Sequence, residues 1–348
     1  MPYSVWQTTA SRLISPTALS FNRACRRTCC VGRTLPSRSS SSASSCDEDE
    51  VNARISPDWA KYRCHIERRG YRLDTVRDVK DYYLHHCSNI EKQGLHVYLS
   101  GYHRALARSD EDALCKDVGL RESLFRATRC LDGTKVMVKA VHRDSRELDI
   151  VQYLSAPAQQ RDPMNHCIPI LDLIDAPQDD LCFIVMEEWS ANMFPETPVS
   201  LGSLMESLRH CIEHIAFMHR HRIAHFDISP RNFLTDYNGR YACIDYELSR
   251  RIDVSCPRIL YSRGSEIPPE AERGRLSNPF MIDVWALGVL IFRACELAEF
   301  HVPELMRLAK PMLHENPDKR PPAASVLKEF QRIQATMSKT QHGRHISP

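Results

Sequence analysis

The sequence predicts a mixed α+β protein in two lobes, a small β-rich one with a single helix followed by a larger α-helical one. Strand-like apolar runs crowd between Leu124 and Glu187, one short helical pattern interrupts them, and helical periodicity takes over after Glu188. A chain of 348 residues with 43% apolar and 26% charged side chains can bury the cores of one large or two ordinary domains.

"LFRATRCLDGTKVMVKAV", Leu124 to Val141, reads as two strands joined at Asp132-Gly133, a dipeptide suited to a hairpin turn. "SRELDIVQYL" is the single helix of this part, and "IPILDLIDAPQDDLCFIVMEEW" supplies two more strands about a polar turn. Beyond a boundary near Glu188–Ala191, "LGSLMESLRHCIEHIAFMHRHRI" sets Leu204, Leu208, Ile212 and Ile215 on one helical stripe. Further helices are expected at Met281–Glu296, Pro303–Pro311 and Ala323–Thr336. Upstream, "LDTVRDVKDYYLHH" spaces Leu73, Val76, Val79 and Tyr83 helically. The expected division is therefore a tail or presequence at 1–55, a helical extension at 56–116, the β-rich lobe at 117–188, the helical lobe at 189–335 and a disordered tail at 336–348.

The charge is uneven. Residues 1–46 hold six Arg and no acid, which more than accounts for the net +2 of the whole chain. Ser- and Arg-rich and acid-free, this stretch has the composition of a disordered tail or of a mitochondrial presequence. Nothing in the balance asks for nucleic acid. The fourteen Cys include no C-x-x-C pair, which excludes the common zinc spacings and suits reduced thiols inside a cell. The longest apolar run, Val284 to Phe292, is too short to span a bilayer, so no membrane partner is expected. The expected location is intracellular, in the cytoplasm, with the mitochondrion as the alternative if 1–46 act as a presequence.

"AHFDISPRNFLTDYNGRYACIDYELS", Ala224 to Ser249, places His225, Asp227, Asn232 and Asp245 inside two short apolar stretches. Singly, such residues are solvated turn polars. They follow Lys139 on the expected second strand of the hairpin and Glu147 on the helix after it, where Glu147 shares a face with Ile150, Val151 and Leu154. This order resembles the eukaryotic protein-kinase fold over roughly Asp117 to Phe330. "RGYRLDTVRDVKDYY" and "DPMNHCIPILDLI" are also similar to a group of fungal proteins known as predicted kinases.

The resemblance implies a two-lobed protein-kinase-like fold that transfers the γ-phosphoryl group of ATP, with Mg2+, to Ser or Thr hydroxyls of a protein substrate. It implies that Lys139 holds phosphates and is held by Glu147, and that Asp227 orients the hydroxyl. Asn232 and Asp245 are then the metal ligands, and Gly119, Met137, Glu187 and Leu234 border the nucleotide. Pro268-Pro269-Glu270 stands where the family has Ala-Pro-Glu, Asp283 matches the residue that braces the catalytic loop, and Arg320 matches the partner of Glu270. These later matches set the chain apart from small-molecule phosphotransferases, a less favoured alternative.

Departures from the family pattern raise a third alternative, a pseudokinase that serves as a binding scaffold. No complete G-x-G-x-x-G precedes Lys139; "DVGLRESLF" keeps Gly119 and offers Glu122, whose charge is expected to oppose ATP. Met137 replaces a small residue over adenine. Phe226 replaces the Arg that reads a phosphorylated activation loop, and Glu247 replaces the Gly after the metal-binding Asp. Ser229 replaces a phosphate-contacting Lys, whose charge Arg231 is placed to supply.

Overall fold

The computed structural model describes residues 52–82, 84, 104–117, 119–190, 193–194, 199–253 and 258–343. The Arg-rich stretch 1–46 lies outside the described residues, as does the end of the expected lobe boundary at Ala191. Helix α1 (Trp59–Glu67) leads into β1 (Tyr71–Leu73), and β2 (Leu124–Arg129), β3 (Lys135–His142), β4 (Ile170–Ala176) and β5 (Leu181–Glu187) follow. These strands form one antiparallel sheet in the order β1-β2-β3-β5-β4. Strand β3 is central, and Val136, Val138, Ala140 and Val141 are fully buried on it. Gly133, at φ +74, makes the turn before β3, and Asp132 accepts hydrogen bonds from Thr134 N and Arg129 Nε.

Strand β1 departs from the expectation. The sequence places only helix between 56 and 116, and starts the strands at Leu124 in the lobe that begins at 117. In the structure Tyr71 and Leu73 pair with Arg129 and Ala127 of β2, so the sheet begins fifty residues earlier. A three-residue strand after Gly70 is too short to show alternation, and its partner is remote in sequence. The excursion between β1 and β2 is closed at its base by the Thr75–Leu114 bridge and by Cys115 N donating to Asp74 O. The segment ahead of β2 is therefore a loop pinned to the sheet edge, and not the tip of a tight hairpin.

Helix α2 (Arg146–Leu154) starts where Ser145 accepts from Leu148 N, and it carries Glu147 in its first turn. Helix α3 (Leu201–Arg220) is capped by Ser200 and buries Leu204, Leu208, Ile212 and Ile215 as the periodicity demands. Helix α4 (Pro279–Leu297) uses Asn278 as its cap and Pro279 in the first turn, where a missing N–H costs nothing. Helices α5 (Pro303–Met312) and α6 (Ala323–Gly343) complete the chain. The last helix continues past Thr336 to Gly343, so the expected disordered tail at 336–348 is helical over its first eight positions. Among the described residues no helix is long and apolar enough to cross a membrane.

Among the described residues two large apolar cores stand out beside smaller clusters. One lies on the outer face of the sheet, where Trp59 of α1 meets Phe125 and Phe183 with ring centroids 5.2 and 5.7 Å away. The larger one joins α3, α4, α5 and α6, and takes in Ile150, Val151 and Leu154 from α2. Beneath it, Arg320 makes a bidentate pair with Glu270 at 2.7 and 2.6 Å, donates to His314 O and Met281 O, and lies over the Trp285 ring. The Arg320 side chain is fully buried, so removing it strands a buried carboxylate. Arg320→Met is expected to cost about 3–5 kcal/mol of stability, read from the denaturant midpoint. A loss below about 1 kcal/mol would show that the pair is a surface-type contact.

Candidate active site

Lys139 and Glu147 are brought together by β3 and by the cap of α2. Lys139 Nζ lies 2.6 Å from Glu147 Oε1 and 2.9 Å from Asp245 Oδ1, although Asp245 is 106 positions away in sequence. Lys139 is 7% exposed and Glu147 2%, so the charges meet in a medium where they interact strongly. Burial works to lower the Lys139 pKa, but the Asp245 and Glu147 charges outweigh it and hold the ammonium well above its ordinary value. Burial likewise works to raise the Asp245 carboxyl, and Lys139, then Arg121, more than reverse it. For Glu147 burial prevails and pushes the carboxyl up. Its two oxygens nonetheless accept from Lys139 Nζ and Asn52 Nδ2, which favour the ionised form.

The loop after α3 is held by Asp283 of α4, which is fully buried. Its two oxygens accept from His225 N at 2.7 Å, Phe226 N at 2.8 Å and His219 Nε2 at 2.9 Å. Phe226 takes φ +67, a costly backbone for a residue of its size, and its carbonyl accepts from the Tyr261 hydroxyl. Asn232 Nδ2 donates to Asp227 Oδ2 at 2.9 Å and to Asp227 O at 2.7 Å, which leaves its Oδ1 as the atom able to ligate a cation. Asp227 Oδ1 accepts from Ser265 N at 2.7 Å. Asp245 also sits in the left-handed region, at φ +63, and so turns out of β6 (Tyr241–Cys243) toward Lys139.

Tyr246, next to Asp245, is fixed by a wire of neutral groups. His166 N donates to His214 Nδ1 at 3.1 Å, His214 Nε2 to the Tyr246 hydroxyl at 3.0 Å, and that hydroxyl to Cys243 O at 3.2 Å. Burial lowers the His214 pKa well below its ordinary value and raises that of Tyr246 well above, so both stay uncharged at neutral pH.

A cavity of about 280 Å³ opens beside these groups, at the lower end of the roughly 300–1,000 Å³ range of ligand clefts. Its apolar part is built from Met137, Ile184, Met186, Leu234 and Ile244, and its polar end from Lys139, Glu147, Asn232 and Asp245. Gly119, Glu187 and the exposed Arg231 border it. Asp227 lies in an adjoining cleft that Asp245 shares. Nine of the ten residues to which the resemblance gave a role at the site thus line this cavity, and the tenth, Asp227, lies in the adjoining cleft. Asn232 Oδ1 and the carboxylate of Asp245 are hard oxygen donors, a set that suits Mg2+.

The departures resolve differently. Glu122 does not turn its charge on the cavity; its carboxylate pairs with Lys116 at 2.8 Å and is 70% exposed. Arg121, though 63% exposed, borders the cavity, 3.0 Å from Glu247 Oε2 and 3.9 Å from Asp245 Oδ2. Ser229 is buried and its Oγ has no partner, so its hydroxyl does not stand in for the missing Lys. Phe226 stacks on Tyr261 with centroids 4.8 Å apart and joins a core with Ala224, Ala271 and Ile282. Gly264, at φ +114, allows this: a Cβ there would overlap the Tyr261 hydroxyl and lie 2.5 Å from Phe226 O. Arg121, Asn52, Trp59 and His214 escaped sequence reasoning, since their partners lie 32 or more positions away. Their only signal was being polar or aromatic near an apolar run.

One further cluster, His166, His210 and Glu213, has side-chain ligand atoms within 4.8 Å of each other. Arg209 already occupies it, 2.6 Å from His210 Nε2 and 2.9 Å from Glu213 Oε2, so a cation is not the group it suits.

Met137, 7% exposed, is one of the side chains that line the apolar part of the cavity, and it is long where the resemblance expects a small one. Met137→Ala is expected to tighten adenine-nucleotide binding by roughly tenfold, equivalent to about 1.4 kcal/mol, in a titration followed by calorimetry. Unchanged affinity would mean that Met137 does not obstruct the slot.

No family model matches the chain. It is similar to serine/threonine-protein kinase SBK1 of Mus musculus, 25% identical over 178 residues that cover 46% of this chain and 40% of that protein. The chain therefore matches less than half the length of this curated relative. The likeness supports a place in the protein-kinase-like superfamily and a kinase-like function.

Proposed function

We propose that the chain is an ATP- and Mg2+-dependent protein kinase acting on Ser or Thr hydroxyls, two-lobed, with its cleft between the sheet and the segment from Arg231 to Tyr246. The observation that carries this is Lys139 Nζ in simultaneous contact with Glu147 and Asp245, two acids from distant parts of the chain. Lys139 binds phosphate oxygens, and Asn232 and Asp245 would hold the metal, which supplies charge neutralisation. Asp227, oriented by Asn232 and by Ser265 N, accepts the hydroxyl proton as that oxygen attacks. Arg231, exposed at the cavity edge, brings a cation to the transferred phosphoryl group. Leu234 and Met137 flank the base, with Glu187 and Gly119 at the margins.

A second reading, a nucleotide-free scaffold, is favoured by Met137 in the slot and by Arg121 lying across Asp245 and Glu247. Two measurements separate the readings. ATP with Mg2+ is expected to raise the melting temperature and labelled phosphate to reach protein substrate. Asp227→Asn should reduce transfer roughly 10²–10⁴-fold with nucleotide binding intact. No thermal shift and no transfer would leave the scaffold. Transfer to a soluble alcohol with no protein labelling would point to a small-molecule phosphotransferase.

Regulation follows from Phe226. The activation segment is anchored by the Phe226–Tyr261 stack and the Tyr261 hydroxyl, where an Arg would need a phosphate partner. Phosphatase treatment is expected to leave activity within about twofold, and a loss above tenfold would show that a charged anchor is present after all.

A further inference from the structure

Helix α2 carries Glu147, and its hold on Lys139 depends on the helix staying close to β3. The segment that precedes the sheet reaches both. Asn52 Nδ2 donates to Glu147 Oε2 at 3.0 Å, while Asn52 Oδ1 accepts from His142 N, at the end of β3, at 2.9 Å. Asn52 is 6% exposed, so this amide is committed at both ends in a dry place. Seven residues on, Trp59 Nε1 donates to Glu122 O at 3.0 Å, and its ring lies on Phe125 and Phe183. One stretch of chain thus touches the acid partner of Lys139, the strand of Lys139 and the loop at the cavity mouth.

We propose that Asn52 is a positioning residue, and that the segment from Asn52 to Trp59 is a built-in brace that fastens Glu147 to β3 and so assembles the Lys139–Glu147 pair in cis. An amide is the side chain that does this. Its carbonyl must accept from a backbone N–H while its NH2 donates to a carboxylate, and neither an acid nor an apolar residue offers both. Other contacts hold α2 elsewhere: Arg251 Nε on Asp149 Oδ2 at 2.7 Å is 41% exposed on the arginine side, and the Tyr153 hydroxyl meets His221 Nδ1 at 2.7 Å further along the helix, but neither reaches Glu147. What the pair does in phosphoryl transfer rests on the kinase reading; the brace itself does not.

The test uses the full chain without nucleotide. Two variants are compared, Asn52→Ala, which deletes the amide, and Asn52→Asp, which keeps its shape but sets a carboxylate against Glu147. Amide exchange over Arg146–Leu154 is expected to quicken in both, on the roughly ten- to hundredfold scale of a hydrogen bond to a charged group, with Leu201–Arg220 unchanged. Lys139 is expected to acylate severalfold faster with an amine-directed reagent, because loosening the Glu147 contact uncovers a nitrogen that is otherwise enclosed between two acids. Exchange and acylation at wild-type rates in both variants overturn the proposal, as does a rise spread evenly along the chain. If wild type binds no nucleotide, the kinase reading fails while these two readouts still decide the brace.

Discussion

Placing an ammonium and two carboxylates out of water is costly unless each finds a partner, and the arrangement around Lys139 follows from that constraint. The Lys139 side chain is 9% exposed and that of Glu147 3%, so neither charge can fall back on solvent. Strand β3 supplies a rigid, buried rail for Lys139. Ser145 caps α2 two residues before Glu147, so that Glu147 faces inward in the first turn. Asp245 reaches Lys139 only because its backbone takes the left-handed conformation. Asn52 satisfies the second oxygen of Glu147, and Arg121 approaches the second oxygen of Asp245.

The departures from the kinase pattern are easier to understand in pairs than singly. Glu247, standing where a Gly is usual, meets Arg121 from the loop that lost its glycines. Phe226, standing where an Arg is usual, meets Tyr261 across a site that only Gly264 leaves open. In one case a charge pair replaces backbone freedom, and in the other aromatic packing replaces a charge pair. The loss of glycines has a structural setting as well. Strand β1 comes from Tyr71–Leu73, so the loop before β2 is no longer a tight turn that demands them.

The same logic separates the clusters that suit a cation from those that do not. At Asn232 and Asp245 an amide oxygen and a carboxylate stand beside a cavity. At His166, His210 and Glu213 the place is filled by the Arg209 guanidinium. Residue types alone would rank the second cluster higher, because imidazoles are good ligands; what fills the space decides otherwise.

By itself the sequence determined what is local and periodic. The β2–β3 turn at Asp132-Gly133, the stripe of α3 and the capped start of α2 all follow from side chains within a few positions of one another. The order Lys139, Glu147, Asp227, Asn232, Asp245 was legible because a kinase-like pattern preserves spacing along the chain. Three things were decided only by the tertiary structure. Strand β1 needed a partner 54 or more positions away, Glu122 was turned outward by Lys116, and Asn52 was brought to Glu147 across 95 positions. Each is a long-range pairing, and no local pattern of hydrophobicity or charge records which distant group a side chain will meet once the cores have closed.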